Sequence, residues 1–261
     1  MMPKYDFIFS LGAACSCTQM LRKAQLQFAS YPLDWLFGSD LAGRIDIVAS
    51  RFERFLVSYV YSERSISCDA YHNEFNDLTF NHDFESGKEL KETYLAVKEK
   101  YDRRIKRLLD RIEAAQTVLG VFVETPDSGK SKYTAQDLRE IHAKLNNAFP
   151  NKRFDLLYIS PDTEMGHGET VTELSEDGLD WIITEYSYTK HNEPPYSVDH
   201  RVMLKILKKY KLNLPLSFRL KRLLQRLYIR AIPIKSVRKK TETKIQILKG
   251  TRMNFRPCPG P

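Results

Sequence analysis

Tyr5-Asp6-Phe7-Ile8-Phe9-Ser10-Leu11-Gly12-Ala13-Ala14-Cys15 is the stretch whose reading decides the fold. Tyr5 to Ser10 is short, apolar and aromatic, as a buried strand is, and it runs into glycine and alanines that suit a tight turn. From Cys15 to Gln25 the residues are good helix formers with Met20 and Leu21 as the apolar side. A strand, a small-residue turn and a helix in that order are the opening of an α/β unit. In open α/β sheets ligands collect beyond the carboxyl ends of the strands, which is where Cys15 falls. A helix N-terminus also favours the thiolate, the reactive form of cysteine. Cys15 is therefore the candidate nucleophile, with Gly12, Ala13 and Ala14 as candidate oxyanion and substrate-binding positions. The competing reading is that Cys15 is a small buried residue, as free cysteines often are. Cys17 reads as structural.

Outward from that stretch the chain alternates between helical and strand patterns. Asp40 to Val57 predicts a helix with Leu41, Ile45, Val48, Phe52 and Phe55 on one side. Ser58 to Phe84 is polar and aromatic, with short strands expected around Tyr71 and Leu78 to Phe80. Ser86 to Ala115 predicts a long charged surface helix. Thr117 to Glu124, Phe154 to Ser160 and Leu179 to Glu185 predict strands, with helices over Thr134 to Ala148 and Ser197 to Tyr210. Near-continuous apolar runs alternating with helices indicate a mostly parallel sheet covered on both faces. The expected fold is a three-layer α/β/α domain over residues 1–211, followed by a basic helical extension over 212–261.

Composition narrows the function classes. The chain has 261 residues, 42% of them apolar, enough for a sizeable core. Its four cysteines are too few and too irregular for a disulfide framework, and no histidine stands at zinc-finger spacing from Cys15 and Cys17. There is no Walker motif, no three-glycine dinucleotide fingerprint and no two-histidine zinc helix, so neither a cofactor nor a metal is expected. No apolar run approaches a membrane span and the first residues do not resemble a leader, so a cytoplasmic location is expected.

A nucleophilic thiol needs a base. His82, in Phe80-Asn81-His82-Asp83-Phe84, directly follows an apolar strand-like run and is one candidate, with Asp83 beside it. Asp199 with His200, at the start of the last α/β helix, is the rival pair. Pro32-Leu33-Asp34-Trp35 places an acid and an aromatic in a constrained loop after the first helix. Asp34 and Trp35 either face the crevice or form a turn that anchors Trp35.

Ser10-Leu11-Gly12-x-x-Cys15 with Leu21-Arg22, then Ser30-Tyr31-Pro32-Leu33-Asp34-Trp35-Leu36, Phe80-x-His82-Asp83-Phe84 and Tyr101-Asp102-Arg103-Arg104-Ile105, resembles a bacterial family of papain-like cysteine peptidases. Leu33 stands where that family usually has phenylalanine. The resemblance implies a Cys15 nucleophile, His82 as its base, and a setting in surface-polysaccharide or envelope metabolism with a glycan or acyl substrate. A buried strand directly before the cysteine is closer to the SGNH hydrolase and acyltransferase plan. That plan carries its base near the last helix and implies Asp199 with His200, although the usual Asp-x-x-His spacing is absent. A non-catalytic module for sugars or nucleotide sugars is the alternative class.

Charge is divided along the chain. From Lys205 to Pro261 there are 17 of the 41 Lys and Arg residues against one acid, Glu242, and the preceding part is net acidic. Leu214 to Ile234 interleaves leucines with arginines, the composition of a helix that lies on an anionic membrane surface. Nucleic acid is the less expected partner because apolar residues are so dense there.

Overall fold

The computed structural model describes residues 3–64, 68–124, 132–162, 164–166, 168–184 and 200–231. In chain order β1 (Lys4–Tyr5), β2 (Phe7–Gly12), α1 (Cys15–Lys23), β3 (Phe37–Gly38) and α2 (Leu41–Ala49) come first. β4 (Tyr59–Arg64), β5 (Cys68–Asn73), β6 (Leu78–Glu85) and α3 (Leu90–Ala114) follow. The rest is β7 (Thr117–Val123), α4 (Ala135–Ala148), β8 (Arg153–Pro161), β9 (Thr170–Glu176), β10 (Leu179–Thr184), α5 (His200–Leu207), β11 (Lys211–Leu212) and α6 (Leu216–Ala231).

The mixed α/β architecture rests on a five-stranded sheet in the order β2-β7-β8-β10-β9. β2, β7, β8 and β10 are mutually parallel, and β9 closes the edge antiparallel to β10. Alternate residues of each strand feed two separate cores. Ile8, Leu119, Val121, Val123, Leu157 and Ile159 join Cys17, Met20 and Leu21 of α1 and Val202, Met203 and Ile206 of α5. Phe7, Phe9, Val118, Phe122, Phe154 and Tyr158 join α2, α3 and α4 through Ile45, Leu108, Ile112 and Leu138. Both faces of the strands are therefore dry, which explains why they read as unbroken apolar runs.

A second, antiparallel sheet in the order β3-β6-β5-β4 replaces the loosely stranded region expected between Ser58 and Phe84. Its inner face is aromatic. Tyr59 packs edge-on against Phe80, Phe84 and Tyr94, and Phe80 packs against Tyr101 of α3 at 5.2 Å. The expected helix to Val57 is also corrected. α2 stops at Ala49 because Arg51, Phe52 and Arg54 take left-handed φ values of 57°, 66° and 56°, so Phe52 and Phe55 reach the core from turns. α3 begins at Leu90 rather than Ser86, where Glu89 and Glu92 form a reciprocal capping box.

β11 pairs in parallel with β1, and Asn213 donates its backbone N–H to the Tyr5 carbonyl at 2.6 Å. The chain after α5 is thereby tied to the amino edge of the large sheet before α6 begins.

Candidate active site

β2, β7, β8 and β10 all run out on one edge, at Gly12, Val123, Pro161 and Thr184. Ala13 carries the pairing one residue further, its N–H donating to the Val123 carbonyl at 2.9 Å. Gly12 stands at φ +120°, a conformation open to glycine, and a Cβ there would run into the guanidinium of Arg44.

Arg44 organises this edge. It is wholly buried in α2, and its donors reach the carbonyls of Leu11 at 2.9 Å, Leu33 at 3.4 Å, Leu36 at 2.8 Å, Gly38 at 2.7 Å and Ser39 at 2.9 Å. One side chain thus gathers the end of β2, the Pro32 loop and β3. Burial pulls its pKa down to about 10, which leaves it protonated at neutral pH. The sequence reading missed Arg44. The available signal was its position between Leu41, Ile45 and Val48, an arginine inside an apolar helical stripe.

Cys15 is the first residue of α1, as expected, and Ala14 before it supplies no side-chain cap to the helix. The expected lowering of the thiol pKa is overturned. Cys15 is only 4% exposed, and desolvation pushes its pKa up to about 11 against the opposing bonds from its own backbone N–H and from Gln19. Cys17 donates its thiol to the Val121 carbonyl at 3.3 Å and packs in the core. The amides of Gly12 and Ala13 are engaged inside the fold, on the Ser10 hydroxyl at 3.1 Å and on Val123 respectively.

Asp34 turns inward. Its carboxylate accepts from the Tyr31 N–H at 2.8 Å and from Gln27 Nε2 at 2.9 Å, with Arg22 Nη2 at 3.5 Å. Burial raises its pKa, while Arg22, Tyr31, Gln27 and Thr18 oppose the shift. The Arg22 guanidinium also lies 5.2 Å from the Trp35 ring. Both residues of the Pro32 loop therefore anchor that loop to α1.

His82 and Asp83 sit in an irregularity of β6, where Asp69 pairs with Phe84 and Tyr71 with Phe80, so β6 has two more residues than β5 between those pairs. Asp83 accepts from the Tyr101 hydroxyl at 2.8 Å and pairs with Lys100, both on α3. Packing lowers the His82 pKa, with Lys100 acting in the same direction and Asp83 against it. The Leu78 end of β6 pairs with Gly38 near Arg44, and four residues of strand carry His82 roughly 10–13 Å further along.

Asp199 lies outside the described residues, and His200 is the first residue of α5. α1 and α5 pack together on one face of the large sheet. α5 ends at the amino edge, where Tyr210 donates its hydroxyl to Asp180 near the start of β10 at 2.5 Å. Both helices therefore begin at the carboxyl edge, with Cys15 and His200 at their first positions and axes about 8–10 Å apart for packed helices.

On the other face, a cavity of about 1010 Å³ opens at the same edge and is lined by Ala13, Phe37, Asp40, Phe122, Glu124 and Lys132 among others. Cys15 is not in its lining; Ala13, two residues earlier, is. Glu124 follows β7, is 4% exposed and accepts from the Tyr158 hydroxyl. Burial raises its pKa although Tyr158 and Lys132 favour the carboxylate. It is a second residue that the sequence reading passed over. Among the described residues no group of His, Cys, Asp and Glu has the makings of a metal site.

The model of a family described as putative papain-like cysteine peptidases matches residues 6–160. That span takes in Cys15, Asp34, Arg44, His82 and Glu124, and ends before His200. No curated protein and no solved structure matches the chain.

Proposed function

The chain belongs to the family of putative papain-like cysteine peptidases, and from that premise we propose a cysteine-dependent hydrolase or acyltransferase in which Cys15 is the nucleophile and His200 its base. The observation that carries the reading is the common starting edge of α1 and α5. It suits the SGNH-like arrangement on a three-layer α/β/α scaffold better than it suits a papain-like pairing with His82 on the second sheet.

A thiol held near pKa 11 is protonated at neutral pH, so the resting protein has no ready-made thiolate. The proton therefore leaves as the new bond forms. The Cys15 sulfur attacks an acyl carbonyl, His200 takes the thiol proton, and amides opening the uncapped α1 helix hold the oxyanion. Collapse expels the leaving group with that proton and leaves a thioester on Cys15. Water, or an acceptor hydroxyl or amine, then attacks the thioester and gives its proton to the histidine; the bond from the acyl carbon to sulfur breaks, the acyl product leaves, and the departing Cys15 sulfur takes that proton back. An acyl or glycan-linked substrate enters across the edge that Ala13 shares with the cavity.

The test is a panel of acyl esters, acyl thioesters and peptides, with intact-mass detection of acyl-Cys15. Cys15→Ala abolishes turnover and the mass adduct, and His200→Ala lowers turnover by about 10²–10⁴-fold, with His82→Ala changing it little. Turnover retained by Cys15→Ala sinks the nucleophile. Loss in His82→Ala with His200→Ala intact moves the base to the second sheet.

The burial of Cys15 favours one other reading, a binding module in which the thiol only packs and the cavity takes a small ligand such as a sugar. Complete protection of Cys15 from alkylation together with ligand binding unaltered by Cys15→Ala would select it.

A further inference from the structure

α6 (Leu216–Ala231) carries Arg219, Lys221, Arg222, Arg226 and Arg230 and no acid. At 100° per residue Leu216, Leu220, Leu223, Leu224 and Leu227 share one side of the helix. Every one of them is more than half exposed, from 52% at Leu227 to 79% at Leu216, and Tyr228 beside them is 63% exposed. Phe218, on the far side of the helix from that stripe, meets the Phe28 ring at 5.3 Å. The helix is thus seated by its back, and its leucines point away from the body.

We propose that α6 lies in the plane of an anionic lipid surface. The leucine stripe enters the boundary between headgroups and acyl chains, and the arginines meet lipid phosphates. Positions 219, 226 and 230 run along one border of the stripe and 221 along the other, the arrangement in which long cationic side chains reach up to headgroups. Charge complementarity selects this occupant: the chain from Lys205 onward carries 17 Lys and Arg and a single acid. No described helix is long and apolar enough to cross a membrane, so α6 lies along the surface. The proposal is independent of the reaction assigned to Cys15.

The test is sedimentation of the full chain with phosphatidylcholine vesicles, with and without phosphatidylglycerol. Binding is at least about tenfold stronger on the anionic vesicles and weakens with added salt. The triple variant Leu220→Ser, Leu224→Ser, Leu227→Ser alters only exposed positions, keeps the thermal unfolding of the parent, and loses at least about tenfold in vesicle binding. Equal binding to neutral vesicles, no binding, or binding unchanged by the triple variant overturns the proposal. So does binding to duplex DNA without vesicle binding, which assigns the charge to nucleic acid. A concentration-dependent dimer that the triple variant abolishes, again without vesicle binding, assigns the stripe to a second copy.

Discussion

α1 and α6 are both short amphipathic helices, and they meet the rest of the molecule in opposite ways. Six of the nine residues of α1 are buried, and the helix is roped to the Pro32 loop through Arg22, Thr18, Gln27 and Asp34. α6 exposes its leucines and touches the body through Phe218 on Phe28. The dense seat of α1 fixes the position of Cys15 and at the same time strips water from it, so the thiol is protonated at neutral pH. The seat of α6 leaves its stripe of leucines exposed for something else to cover.

The comparison breaks first at Arg44. Its guanidinium reaches the end of β2, the Pro32 loop and β3 together. Arg44→Met removes five donors and strands the buried carbonyls of Leu11, Leu33, Leu36 and Ser39, for an expected loss of roughly 3–5 kcal/mol in urea unfolding. Arg44→Lys, which cannot reproduce a planar fork, loses somewhat less. A loss below about 1 kcal/mol for the methionine variant would mean that the edge is held by packing alone.

Asp34 gives the next effect, and it carries a pH signature. Its folded pKa is raised chiefly by burial, so its contribution to stability is fully present below the unfolded value of about 3.8–3.9 and is lost as pH rises through the folded value. Asp34→Asn keeps the shape but cannot accept at both oxygens from Tyr31, Gln27 and Arg22, and an expected cost of about 1–3 kcal/mol follows. That cost is largest near pH 4 and shrinks toward neutrality. A cost that grows on going from pH 4 to pH 7 would show that Arg22 outweighs desolvation and that the carboxylate, not the acid, is the stabilising form.

The parallel sheet was legible because β2, β7, β8 and β10 are buried on both faces and their residues say so without any period. The second sheet was legible only in part: strands were expected around Tyr71 and Leu78 to Phe80, where β5 and β6 run, but β4 mixes Tyr, Ser, Glu and Arg, and the aromatic inner face forms only when α3 supplies Tyr94 and Tyr101. Cys15 could be placed at the start of a helix from small residues alone. Its desolvation could not, since burial is a property of the packed fold and not of the local sequence. Arg44 and Glu124 escaped for a related reason. An ionisable residue at the end or in the stripe of an element looks like a solvated one until the fold shows carbonyls around the first and Tyr158 beside the second.

The smallest expected effect sharpens the comparison at its other end. If α6 is held to the body chiefly by the ring pair of Phe218 and Phe28, Phe218→Ala costs no more than about 0.5–1.5 kcal/mol locally and leaves the unfolding midpoint of the α/β body unchanged. Amide hydrogen exchange separates the two helices. In the parent, α6 exchanges through local opening well below the global stability, whereas α1 exchanges with the body. In Phe218→Ala, α6 loses its remaining protection and α1 is unaffected. Anionic vesicles restore protection to α6 in both proteins, because the leucine stripe and not the ring pair meets the lipid. Protection of α6 equal to that of α1 in the parent would show that the helix belongs to the core and that its exposed leucines are not free to leave it.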